Sequence, residues 1–371
     1  MSNEHTKRKR NQILSWLINI AGILAFALIL YLGGIEAWQQ IIHGDWRYVL
    51  AAFAVALLWN LVAAYRWSLI ANEVIEFEEP CPFRYYFTYQ MIGMLIGQVV
   101  PVTVGMLGGR PVALSLSRGV SLKRAALSVF LDKLFDLILA VLFVVPVAFY
   151  LVGWISRPLA FGAMGAIALA GLLLVLWQYE RALKIVGRAG SHLAQPLTRI
   201  PVVGRRLVRG LPQQLERLST STFLSNGLAA KSFLLTLLMY SLLSARLYFI
   251  SQALRLDIPW YILGMGVCVT QLALIFAVTP GSLGFLEGGW AAVFGLAGLS
   301  LEQFTIFVIG RRAYVLVFTL INTLLAFAWI RESPAGLFRS VLQASRRPAK
   351  EPATPTPDSV DEPAPTAESE A

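Results

Sequence analysis

Charge is scarce in this sequence. Only 14% of its residues are Asp, Glu, Lys or Arg, where soluble globular domains carry about 25%. Cysteine and histidine are scarcer still. Cys81 and Cys268 lie far apart, which fits neither a disulfide framework nor a metal-binding spacing. His5, His43 and His192 are scattered, so no zinc cluster and no Ser/His/Asp arrangement is expected. No G-x-x-x-x-G-K-[ST] loop occurs, which argues against ATP hydrolysis within the chain. These shortages point away from an ordinary cytosolic enzyme. No catalytic residue, metal or cofactor is assigned.

What is abundant is apolar side chain: 57% of 371 residues, with a mean hydropathy of +0.65. Length alone suggests two or three soluble domains. Composition suggests one polytopic membrane domain instead, and excludes a disordered chain. The net charge of +10 would suggest nucleic acid on a soluble protein. In a membrane protein, basic cytoplasmic loops account for it, and no nucleic-acid partner is needed.

A helix needs about 20 apolar residues to cross the hydrocarbon core. Ile13–Leu32 is such a run, preceded by Lys7, Arg8, Lys9 and Arg10. It reads as an uncleaved anchor with residues 1–12 in the cytoplasm. Further spans are expected at 48–71, 126–152, 158–178, 228–254 and 306–330. Two more apolar stretches, 86–109 and 260–297, carry Gly and Pro near their middles. Basic residues place 110–124 and the linker 180–217 in the cytoplasm. Parity then brings both ends of 86–109 to the cytoplasmic side and both ends of 260–297 to the outer side. Each is expected to be a re-entrant hairpin or a tight helix pair. Residues 332–371 hold seven acidic and four basic groups and read as a disordered cytoplasmic tail.

The chain also resembles itself. Shifted by 179 residues, Pro101-x-x-x-Gly105-x-Leu107-x-Gly109 falls on Pro280-x-x-x-Gly284-x-Leu286-x-Gly288, and Lys133 on Arg312. Twelve of the 39 positions from Leu95 to Lys133 are identical, more than shared composition accounts for. With one residue of slip, Arg66 matches Arg246. Opposite orientation of two such units makes an inverted repeat, a common transporter architecture. Pro101 and Pro280 are expected to break helices, and Gly105, Gly109, Gly281, Gly284 and Gly288 to shape the hairpins. Helix ends exposed there would suit anions.

Ionisable residues inside membrane segments are costly and mark sites or partners. Arg66, Lys133, Arg246, Glu287, Arg311 and Arg312 are the candidate substrate contacts. Asp132, Asp136 and Glu287 are candidates for coupling. Arg66 and Arg246 could instead snorkel to the interface. Glu287, beside Arg311 or Arg246, could form a structural ion pair or titrate. Arginine forks and helix N-termini favour a phosphate-bearing head group, hence a lipid.

The stretch Pro280-Gly281-Ser282-Leu283-Gly284-Phe285-Leu286-Glu287-Gly288 resembles the signature of the lysylphosphatidylglycerol synthase transmembrane region, the flippase-like membrane domain family. Pro101 to Arg110, Arg118-Gly119-Val120-Ser121 and Asp132-Lys133-Leu134-Phe135-Asp136 resemble it too. Family members more often show Glu-Arg at Asp132-Lys133, and Gly-Gly-Glu at Gly108-Gly109-Arg110. The resemblance covers about 14–330. It implies movement of an anionic or aminoacylated lipid between leaflets, without the soluble synthase reaction. Stand-alone relatives are associated with hopanoids and polyprenyl-linked glycolipids.

The sequence therefore reads as an all-α polytopic protein of the bacterial inner membrane, with both termini cytoplasmic. About eight membrane segments are expected, six spans and two re-entrant hairpins, in an inverted repeat with halves at about 48–178 and 228–330 of a domain 13–331. The expected function is lipid translocation without enzymatic chemistry. The alternative is a non-catalytic membrane subunit of a lipid or glycolipid biosynthesis complex, partnered by a separate synthase.

Overall fold

The computed structural model describes residues 27–31, 34–35, 38–75, 77, 81–100, 105–197, 224–277 and 279–330, with side chains left out over 178–197. The expected first span, the basic N-terminus, Pro101, most of the linker and the acidic tail lie largely or wholly outside these residues.

Nine helices organise the described chain. They are α1 (Trp46–Val74), α2 (Phe83–Val99), α3 (Arg110–Arg118), α4 (Leu122–Leu151), α5 (Arg157–Leu197), α6 (Asn226–Ala253), α7 (Trp260–Ile275), α8 (Phe285–Leu296) and α9 (Leu301–Ile330). A π turn, Gly105–Gly109, leads into α3, and a 3-10 turn, Pro280–Ser282, precedes α8. The helix starts follow local chemistry. Side chains of Asp45, Ser121 and Ser225 accept from the first-turn amides of α1, α4 and α6, satisfying otherwise orphaned donors. Pro82 and Pro259 stand at the caps of α2 and α7, corresponding places in the two halves.

Five helices are long and apolar enough to cross a bilayer: α1, α4, the 157–177 part of α5, α6 and α9. The chain is a multi-pass membrane protein. With a rise of about 1.5 Å per residue, the 16 or 17 residues of α2 and α7 reach only about 25 Å. They are shorter than the roughly 30 Å core. The spanning helices are apolar outside and bury several polar side chains within a largely apolar core. On α9, Leu316, Leu320 and Leu324 are exposed, whereas Thr319, Asn322 and Thr323 are buried. Lipid is as apolar as leucine, so association rests on close packing and polar contacts instead.

The order long helix, broken pair, long helix occurs twice, as α1–α4 and as α6–α9. The two leading helices pack antiparallel. Tyr48 stacks on Phe249 near one end, and Lys231 donates to the Tyr65 hydroxyl near the other, 2.8 Å away. Numbers rise along α1 and fall along α6, the direction that inverted halves require. The broken pairs meet where they break: the Gly281 amide donates to the Val100 carbonyl at 3.1 Å.

One boundary differs from the sequence reading, and one helix outruns its span. The first hairpin does not end at 109. Its returning arm continues as α3 to Arg118, so Arg110 is a buried residue of the hairpin rather than a loop charge. The span expected at 158–178 falls on the apolar 157–177 part of α5, and the helix itself continues to Leu197. At 41 residues it is about twice the hydrocarbon thickness, so its charged second half extends away from the apolar layer. Periodicity marks where apolar character ends, not where a helix does.

Candidate functional site

The first charged cluster joins both halves. Arg66 of α1 is fully buried. Its Nε donates to Asp132 Oδ1 at 2.8 Å, and its Nη1 to Asp136 Oδ1 and to Thr236 Oγ1, each at 2.6 Å. Asp132 takes a second arginine: Arg110 Nη1 donates to its Oδ2 at 3.0 Å. The Arg110 guanidinium also lies 4.5 Å from the centre of the Trp67 ring, a cation–π contact that supports a desolvated charge. Lys133 Nζ reaches Asp136 Oδ2 at 2.8 Å, one turn along α4. Tyr240 of α6 donates to the Asp136 carbonyl at 3.0 Å. Three cations thus face two carboxylates. Arg66 does not snorkel; it is held in the core by the aspartates.

The second cluster sits at the other hairpin. Glu287 lies in the first turn of α8 and is buried. One carboxylate oxygen accepts from the Gly284 amide at 2.7 Å. The other accepts from Arg312 Nε. Arg312 Nη1 also donates to the Gly281 carbonyl at 3.2 Å. Glu287 and Arg312 therefore fasten the hairpin turn to α9. The expected partner of Glu287 was Arg311 or Arg246; the observed one is Arg312, the counterpart of Lys133. Gly281 and Gly284 have φ of +57° and +84°, values glycine adopts without a Cβ penalty.

Arg246 and Arg311 are different. Each is more than nine-tenths buried, at 9% and 8% exposure. Arg246 lies 5.8 Å from the centre of the Trp59 ring. Neither makes a hydrogen bond or ion pair with any described residue, and the Nε of each is buried without an acceptor. Arg311 lies within electrostatic range of Arg246, Arg312 and Glu287.

The hairpin glycines have distinct roles. A Cβ on Gly105 would lie 2.5 Å from the Gly97 nitrogen and 2.8 Å from the Gly93 carbonyl. Gly105 thus lets the two arms of the first hairpin touch. A Cβ on Gly109 would meet the flexible end of Ile96 at 3.3 Å and the Gly93 Cα at an ordinary 3.6 Å. Gly288 has open space around it and no left-handed φ, so the hairpin's shape does not require glycine there, contrary to the reading from the repeat.

Arg110 is the site residue that the sequence reading left out. In sequence it stands with Arg118, Lys123 and Arg124 among the basic residues of 110–124 that read as orienting charge. The available signal was its place directly after the Gly108-Gly109 turn and before Pro111, with apolar residues between it and Arg118. Among the described residues no group of three or more His, Cys, Asp or Glu is placed to hold a metal.

No curated protein matches this sequence. The family described as the lysylphosphatidylglycerol synthase TM region matches residues 16–322, both halves of the repeat included. The chain belongs to the lysylphosphatidylglycerol synthase transmembrane region family.

Proposed function

We propose that this protein is a lipid translocase of the bacterial inner membrane, moving an anionic or aminoacylated lipid between leaflets. It acts as a carrier and does no covalent chemistry of its own. Both termini lie in the cytoplasm, the first hairpin opens from that side, and the second opens from the outside. A separate lipid synthase would supply the substrate.

The observation that carries this reading is the meeting of the two broken pairs at Val100 and Gly281, where Arg312 also donates to the Gly281 carbonyl, in a core that buries Arg66, Arg110, Arg246 and Arg311. Irregular backbone at membrane depth is tolerated where it is packed in protein or lines a watery cavity. Buried arginine at such a place is suited to a passing phosphate. An antiparallel pair of halves can open alternately to each face.

Purified protein in liposomes carrying a labelled phospholipid tests it. Leaflet exchange of phosphatidylglycerol or an aminoacylated derivative is expected to exceed that in empty liposomes. Exchange no faster than in empty liposomes, across anionic and aminoacylated lipids, would remove the translocase reading and leave a scaffolding membrane subunit in its place.

A further inference from the structure

The two halves treat their arginines differently. Arg66 and Arg246 are repeat counterparts. In the first half, the α4 residue facing Arg66 is Asp132, 2.8 Å away. The same 179-residue shift that relates Lys133 to Arg312 relates Asp132 to Arg311. The place of a tethered carboxylate is thus taken, in the second half, by another arginine. The acid at 136 has no counterpart either: the matching residue is Val315. Arg66 and Arg110 keep some N–H groups without acceptors, but their charge is met by Asp132 and Asp136. Among the described residues no carboxylate pairs with Arg246 or Arg311; Glu287, near Arg311, is engaged with Arg312 and the Gly284 amide.

Burying charge without a partner costs several kcal/mol per ion even after relaxation. Arg246 and Arg311 occupy the places that Arg66 and Asp132, in direct contact, hold in the first half, so two like charges there repel. An anion between them would relieve both, and phosphate matches the planar forks of two arginines. In the first half the protein supplies that anion from Asp132.

We propose that Arg246 and Arg311 form an anion subsite for a phosphate group, with the ligand occupying the place that Asp132 fills in the first half. The first-half cluster carries its own carboxylates, Asp132 and Asp136, on its arginines and takes no exogenous anion there. The inference rests on the translocase reading for the source of the phosphate, a phosphodiester lipid head group rather than free phosphate.

Binding, not transport, is the test, so that the two readings fail separately. The full chain in detergent is titrated calorimetrically with short-chain phosphatidylglycerol and, in parallel, with inorganic phosphate. Arg246→Gln and Arg311→Gln are each expected to weaken phosphatidylglycerol binding by about tenfold or more, with Lys123→Gln, at the exposed start of α4, unchanged. Arg311→Asp is the decisive variant, because it rebuilds the first-half arrangement around Arg246. It should raise the melting temperature and abolish binding. Preference for the short-chain lipid over inorganic phosphate supports a head-group source. Equal binding of inorganic phosphate keeps the anion subsite and overturns the lipid source. Absence of binding, or binding unchanged in Arg311→Asp, overturns the subsite even if leaflet exchange persists.

Discussion

The Asp132→Asn variant is expected to lose about 3–5 kcal/mol of stability, the range for breaking a buried ion pair from one side. Asp132 is 1% exposed and its two oxygens serve two fully buried arginines. Asparagine retains one acceptor and no charge. Arg66 keeps Asp136, but Arg110 has no other ion-pair partner among the described residues. The uncompensated guanidinium, not the lost bond, dominates the loss. A second substitution that removes it, Arg110→Met, is therefore expected to recover part of the stability. Lys133→Met should change stability by less than about 1 kcal/mol, because Lys133 and Asp136 are partly exposed and Arg66 still holds Asp136. Thermal unfolding of the purified protein in detergent measures all three. Equal losses in Asp132→Asn and Lys133→Met would mean the cluster is not organised around Asp132.

The Gly105→Ala variant is the second large effect. Its Cβ would fall 2.5 Å from the Gly97 nitrogen and 2.7 Å from its Cα. Both are backbone atoms of the facing arm, so no side-chain rotation relieves the clash. Forcing a methyl group into such a contact costs about 1–3 kcal/mol, occasionally more. The arms would separate, carrying Arg110 away from Asp132. The melting temperature should fall and leaflet exchange with it. At Gly288 an added methyl meets open space, and alanine in a helix is favoured over glycine by about 0.5–1 kcal/mol. Gly288→Ala is thus expected to be neutral or slightly stabilising. Comparable damage at both positions would contradict the packing described here.

These glycines also show where sequence reading reaches and where it stops. The Pro/Gly spacing exposed the repeat and both hairpins, because backbone breaks leave a mark in composition. It could not separate the reasons. Gly105 is required by close approach of two backbone arms, its counterpart Gly284 by a φ of +84°, and Gly288 by neither. The spans were legible because about 20 apolar residues are needed to cross the core. Arg66, Lys133, Arg246, Glu287, Arg311 and Arg312 were legible as charges in apolar surroundings. Their pairing was not, because it depends on which helices touch. Arg66 reaches Thr236 across 170 positions of chain, a contact that no local pattern carries. Arg110 was hidden by its neighbours: loop charge and site charge look alike until the helix that holds them is placed. The extension of α5 past its span carries charge, so the apolar run that marks the span says nothing of where the helix ends.

The central claim is that two similar halves run in opposite directions, so that each hairpin faces its own side of the membrane. Cysteine labelling tests it most directly. Both native cysteines are buried and can be replaced by serine. Single cysteines are then placed at Lys123 and Glu302, exposed positions at the starts of α4 and α9. With a membrane-impermeant maleimide on intact cells stripped of their outer barrier, Glu302→Cys should react at once. Lys123→Cys should react only after the membrane is opened. Reaction of both positions from the same side would contradict the inverted repeat and everything argued from it.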